Sequence, residues 1–268
     1  MTDWDDAFNN SGYIPNAPEY FAAWEQRAKA FRESGIKSDL SLDYGPADRQ
    51  KLDLFHPATK PKGLVVFVHG GYWMKLNRSY FSHLAAGPLA NGRAVAIPSY
   101  TLAPDARISG ITREIAQAVM FAASRIDGPI HLSGHSAGGH LVARMICTDS
   151  PIDPVVQARI AKVVSISGVH DLRNLVKTKM NDMLQLTPEE ATAESPCLGK
   201  PIAGANVTCW VGADERPEFI RQSHLLHDMW GKQGATMDVY LDPDKHHFNV
   251  IGSLNLPNSK LTQTLLGK

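Results

Sequence analysis

Six short apolar runs recur along the chain, and most are separated by helix-length stretches. This alternation limits the fold more than any other feature. The runs are 64–68, 94–97, 130–133, 162–166, 207–211 and 237–241, and the stretches 111–126 and 139–148 between them are amphipathic. A run that is apolar at consecutive positions must be buried on both faces. Strands of that kind alternating with helices imply βαβ units and a mostly parallel sheet flanked by helices, an α/β class fold. In such a sheet the functional site is expected at the carboxyl ends of the strands. The stretch 51–55 alternates instead and ends at Pro57, as an edge or antiparallel strand would.

The flanking segments carry weaker signals. Residues 1–18 are polar and rich in Asn, Gly and Pro, and predict an arm on the surface. Tyr20, Phe21, Trp24, Ala28 and Phe31 fall at helical spacing, so 19–34 predicts a helix whose aromatics face the core, with Gly35 at its C-terminal cap. Between 171 and 201 no strand signal appears, and Thr187-Pro188-Glu189-Glu190 predicts a short capped helix. An insertion of this length reads as a lid over a site. With no other boundary, residues 1–268 form a single domain.

Composition removes several function classes. Lys plus Arg and Asp plus Glu each number 27, so the formal charge is zero, which argues against nucleic acid and against a polybasic membrane anchor. No apolar run approaches the ~20 residues that span a bilayer. Cys147, Cys197 and Cys209 are odd in number and widely spaced, suggesting neither a disulfide framework nor a zinc knuckle. The acidic N-terminus lacks a signal-like apolar core, so the chain reads as soluble and cytoplasmic. Oligomeric state is left open, a homodimer included.

The chemistry concentrates in a few places. Gly134-His135-Ser136-Ala137-Gly138 follows a strand and precedes a helix, the context in which G-x-S-x-G presents a nucleophilic serine on a tight turn. His69-Gly70-Gly71-Tyr72-Trp73 closes an earlier strand, and its paired glycines can turn the amides of Gly70 and Gly71 toward a developing oxyanion beside that of Ala137. A base is expected after the last strand, where His246 and His247 stand. His224 and His227 sit at helical spacing beside Leu225 and Leu226 and read as surface or packing residues. For the acid, the turn after 207–211 offers Asp214, Glu215 and Glu218; Asp is the commoner residue type, whereas placement three positions after Gly212 selects Glu215. Tyr72 and Trp73 could present an aromatic wall to a small-molecule substrate. There are 11 histidines but no H-E-x-x-H or Cys/His set, no G-x-G-x-x-G and no P-loop, so neither a metal nor a nucleotide cofactor is expected.

Several of these segments together resemble an α/β-hydrolase of the kynurenine formamidase (arylformamidase) type, related to the hormone-sensitive-lipase-like esterases. His69–Trp73 resembles an H-G-G-x-W motif. Tyr100-Thr101-Leu102-Ala103-Pro104 is similar to Y-R-L-A-P, with Thr in place of Arg. Gly134 to Leu141 resembles G-H-S-A-G-x-H-L, and Pro217-Glu218-Phe219 and His247-Phe248 match P-E-F and H-F. The resemblance runs from about residue 20 over most of the chain. It implies His247 as base and, two residues before Pro217, Glu215 as acid, although aspartate is common in the family at that place. It also implies hydrolysis of N-formyl-L-kynurenine to L-kynurenine and formate in tryptophan catabolism. The residues alone reach an ester or amide hydrolase, with a short-chain carboxylesterase or a non-catalytic ligand receptor of the same fold as the other readings.

Overall fold

The computed structural model describes residues 2–268 and contains an eight-stranded sheet. Two antiparallel strands lead, β1 (Ser38–Asp43) and β2 (Lys51–Phe55), and six follow: β3 (Leu64–Val68), β4 (Ala94–Pro98), β5 (Ile130–His135), β6 (Ile160–Ile166), β7 (Asn206–Gly212) and β8 (Thr236–Asp242). Their spatial order is β1-β2-β4-β3-β5-β6-β7-β8, and every neighbouring pair from β4 onward is parallel. Among the described residues ten α-helices accompany them: α1 (Trp4–Ala7), α2 (Ala17–Glu33), α3 (Ala86–Ala90), α4 (Ile108–Ala123), α5 (Ala137–Arg144), α6 (Pro154–Gln157), α7 (Asn181–Leu184), α8 (Pro188–Ala193), α9 (Pro217–Gly231) and α10 (Lys260–Leu265). Among the described residues no helix is long and apolar enough to cross a membrane.

The apolar runs from β3 to β7 become strands because both faces are covered, whereas β8 is an edge strand with no buried residue. In β3, Leu64, Val66 and Val68 face a core shared with α4, α5 and α9, while Val65 and Phe67 face a second core with α2, α3 and α10. Five buried residues in a row leave no solvent face on which polar alternation could appear. The chain runs from β3 to β4 on one side, then crosses back to place β5 on the other. The crevice at such a switch point is where α/β sheets bind ligands. Here Val68 pairs with Gly134, so the two glycine-rich segments leave the sheet side by side.

Two flanking segments differ from the sequence expectation. Met1 lies outside the described residues, and residues 2–18 do not simply lie on the surface: Phe8 and Asn10 are 1% and 2% exposed, and the Phe8 ring meets Phe219 edge-on at 6.2 Å. Asp6 pairs with Arg216, whose guanidinium stacks 3.7 Å over the Tyr13 ring, and Asp5 accepts the Lys179 amide at 2.7 Å. Isolated apolar residues among polar ones gave no periodic signal, yet each finds a partner distant in sequence. The 171–201 segment packs against the α4 and α5 side of the core. Glu190 accepts from Arg107 at 2.9 Å, and Glu194 accepts from Thr112 at 2.6 Å and Arg144 at 3.2 Å. The backbone carbonyl of Glu194 takes the His140 ring N–H at 2.7 Å. Buried carboxylates need such partners, and satisfying them holds α8 down on these helices.

Candidate active site

Ser136 stands between β5 and α5 at φ 56° and ψ −116°, a conformation that side-chain-bearing residues rarely adopt. The turn closes this tightly only because no side chains intervene. A Cβ on Gly134 would lie 2.1 Å from the Gly138 carbonyl oxygen, and one on Gly138 2.0 Å from that of Val68. The serine therefore sits at the first turn of α5, where the unpaired amides carry partial positive charge.

The loop after β3 lies against this turn. A Cβ on Gly70 would come within 3.0 Å of the Ser136 Cβ, and Gly71 holds φ +110°. Among the described residues, the amides of Gly70, Gly71 and Ala137 donate to no protein acceptor. His69 is fully buried between Tyr100 and Phe81, with ring centroids 4.3 and 5.9 Å away, and its Nδ1–H donates to the Gly70 carbonyl at 2.7 Å. Burial pushes its pKa down to about 3, so the ring is neutral. Tyr100 Oη donates to the His69 carbonyl at 3.0 Å, and the Ala103 amide to that of Trp73 at 2.9 Å. The 100–104 segment thus braces the glycine loop from behind.

His247 and Glu215 arrive from the ends of β8 and β7. The Ala213 amide donates to the Asp242 carbonyl at 2.8 Å and the Asp214 amide to that of Lys245 at 2.9 Å, so the two loops are tied together. His247 Nδ1 lies 2.6 Å from Glu215 Oε2, with both side chains almost wholly shielded from water. The other carboxylate oxygen accepts the Gly212 amide at 2.9 Å and the Ser167 hydroxyl. The two carboxylate oxygens thus take three donors, and Oε2 holds the proton of His247 on Nδ1. Nε2 is then the basic nitrogen. His135 adds a second tether, donating its Nε2–H to the His247 carbonyl at 2.8 Å. Burial, and then the charge His247 can carry, push the pKa of His135 well below the ordinary range.

Ser136 and His247 line one cavity of about 370 Å³. Asp214 is exposed, and Glu218 is buried but engaged with Arg221 and Gln222 within α9, so Glu215 is the carboxylate that meets the imidazole. His246 faces away, with Nε2 3.0 Å from the Tyr20 hydroxyl. Tyr72 lines the cavity and donates its hydroxyl to the Phe8 carbonyl at 2.8 Å. Trp73 does not line it: the indole is 1% exposed and packs edge-on against His140 at 5.2 Å. The left-handed turn at Trp73, φ 59°, points the ring into the core, which corrects the expectation of a second aromatic wall there. No residue of 171–201 lines the cavity either. The walls come instead from Ser11 and from Phe21 and Trp24 of α2. The aromatic stripe of that helix signalled burial but not that part of its face borders a cavity. Ser167 and His135 went unassigned in the sequence, although a polar residue just past the end of β6 was a usable signal. Among the described residues no three His, Cys, Asp or Glu side chains group as metal ligands.

Comparison with known proteins agrees with this architecture. Residues 52–223 match the BD-FAE family. A kynurenine formamidase of Danio rerio is 30% identical over 239 residues, spanning 85% of this chain and 80% of that protein. A crystal structure of a candidate thioesterase from Silicibacter sp. TM1040 is 47% identical with a TM-score of 0.95, covering 99% of this chain and 100% of that one. A truncated carbohydrate esterase from gut microbiota superposes with a TM-score of 0.71 at 17% identity, over 86% of this chain and 95% of its own, and so shares the fold. This chain belongs to the BD-FAE family and is an α/β-hydrolase of the kynurenine formamidase type, an enzyme of the formamidase and esterase kind.

Proposed function

We propose that the protein is a serine hydrolase that cleaves aryl formamides, N-formyl-L-kynurenine to L-kynurenine and formate, through an acyl-enzyme on Ser136. His247 Nε2 takes the Ser136 proton as the hydroxyl oxygen attacks the formyl carbon, and Glu215 keeps the imidazole in the required tautomer and stabilises the imidazolium. The amides of Gly70, Gly71 and Ala137 hold the oxyanion. The tetrahedral intermediate collapses as His247 protonates the leaving arylamine, leaving formyl-Ser136. Water, deprotonated by His247, then releases formate and restores the serine. The observation that carries this reading is the 2.6 Å His247–Glu215 pair, with His247 and a strained Ser136 lining one cavity.

A second reading, hydrolysis of short acyl esters or thioesters by the same steps, is favoured by the 47% identity to the candidate thioesterase. Comparing kcat/KM for N-formylkynurenine with that for p-nitrophenyl acetate and a short acyl thioester separates the two. The formamidase reading expects the formamide to win by at least an order of magnitude, and preference for either ester overturns it. Labelling of Ser136 by a fluorophosphonate is expected in either case, and its absence would remove the nucleophile. The site fits a small-molecule substrate in solution, and we place the protein in the cytoplasm, as a monomer or homodimer.

A further inference from the structure

Apart from Ser11, His135 and the reacting groups Ser136 and His247, the cavity over Ser136 is lined mainly by aromatic and aliphatic side chains. Its walls include Phe21, Trp24, Tyr72, Leu76, Tyr80 and Phe248, and Lys75 is the one Lys, Arg, Asp or Glu among the described lining residues. Lys75 is exposed and forms no salt bridge among the described residues, so it stands at the mouth as an uncompensated cation. With formal charges balanced over the whole chain, this local excess is a property of the site.

Its position follows from the loop after β3. The Lys75 amide donates to the Gly71 carbonyl at 2.9 Å, and the Met74 amide to the same oxygen at 3.0 Å. A Cβ on Gly71 would lie 2.3 Å from the Lys75 carbonyl oxygen. Tyr72, Trp73 and Leu76 all hold positive φ, at 54°, 59° and 69°. Such backbone persists only where the surroundings enforce it. Here Arg49 donates to the Leu76 carbonyl at 2.6 Å, Ala103 to that of Trp73, and Tyr72 to that of Phe8. The backbone that carries the ammonium is thus fixed relative to the Gly70 and Gly71 amides. An apolar cavity with a single cation at its rim complements a ligand with an apolar or aryl body and one anionic group remote from the scissile bond.

We propose that Lys75 is a specificity-determining residue that pairs with a carboxylate of the substrate, so that the enzyme prefers acyl compounds bearing a free carboxylate over their neutral esters. This deepens the serine-hydrolase reading and rests on it.

The test uses 4-acetoxybenzoate and methyl 4-acetoxybenzoate, which share the scissile bond and differ in charge. The quantity read is the ratio of their kcat/KM values, measured on the same preparation so that loss of folded protein cancels. Lys75→Gln is expected to lower the acid-to-ester ratio about fivefold, as for a partly shielded ion pair. Lys75→Arg should keep it within about twofold, and Lys75→Glu should lower it further. Raising ionic strength should narrow the wild-type ratio and leave that of Lys75→Gln nearly flat. A Lys75→Gln ratio within twofold of wild type overturns the proposal. Failure of the formamidase reading looks different: wild type would not cleave N-formylkynurenine, while the fall in the acetoxybenzoate ratio on substitution would still support the role of Lys75.

Discussion

Replacing Ser136 with glycine is expected to abolish hydrolysis and raise the melting temperature above that of Ser136→Ala. Both variants lack the hydroxyl, so turnover should fall by several orders of magnitude in each. They differ in the backbone. At φ 56° and ψ −116° a residue with a Cβ bears strain of about 1–3 kcal/mol, which alanine retains and glycine releases. Glycine also gives the unfolded chain more freedom, an opposing cost of about 0.4–1 kcal/mol. The net expectation is about 1 kcal/mol in favour of glycine. With unfolding entropy of about 2.1 cal/mol/K per residue, a chain of 268 residues gains about 2 °C per kcal/mol. Thermal unfolding of the two variants at one scan rate reads the difference. If Ser136→Gly melts at or below Ser136→Ala, the turn is not strained at that residue, and the account of how the fold presents the hydroxyl is wrong.

Other expectations concern the acid and the buried rings. Glu215→Gln should lower kcat by about 10³–10⁴, because the amide no longer holds the His247 tautomer. Asp214→Asn should change it by about twofold or less, since that carboxylate faces water; steady-state kinetics showing the reverse order would reassign the acid. Stability should decline on mild acidification. His69, His140 and His170 are fully buried with pKa values pushed down to about 3 from 6.5. Above pH 6.5 each ring is neutral whether folded or not and contributes nothing. Below it the unfolded ring binds a proton that the folded one refuses, at a cost of about 1.4 kcal/mol each at pH 5.5. Three such rings cost about 4 kcal/mol, a sizeable part of a typical folding free energy. A melting temperature that stays level from pH 7.5 to 5 would show that these rings take up protons in the folded state.

What the sequence revealed divides along physical lines. Strands β3 to β7 were legible because a strand buried on both faces is apolar along its buried length, and β8, an edge strand with no buried residue, was legible from the apolar Met237, Val239, Tyr240 and Leu241. β1 was missed because it is an edge strand with Leu40 45% exposed, so little burial constrains its residues. The spacing from Gly212 singled out Glu215 as the candidate acid, and the structure shows what that turn does. The Glu215 amide donates to the Gly212 carbonyl at 3.2 Å while its carboxylate accepts the Gly212 amide. That turn folds position 215 inward and leaves position 214 in water. The roles of residues 8–24 were not legible because their partners, Tyr72, Phe219, Phe81 and Phe248, are distant in sequence.

This division bears on how substrate choice is encoded. Ser136, Glu215 and His247 hang from the ends of three strands locked in one sheet, so their mutual geometry is set by sheet register. The cavity walls come from other parts of the chain: Ser11 and α2 on one side, the 71–80 loop on the other. Changes in those walls can alter which acyl compound fits without disturbing the strand ends. A shared fold and a shared elbow therefore say little about the leaving group. The discriminating information lies in the few side chains that line the cavity from outside the sheet, and Lys75 is the one among those described whose charge can be reversed while the strand-borne groups stay in place.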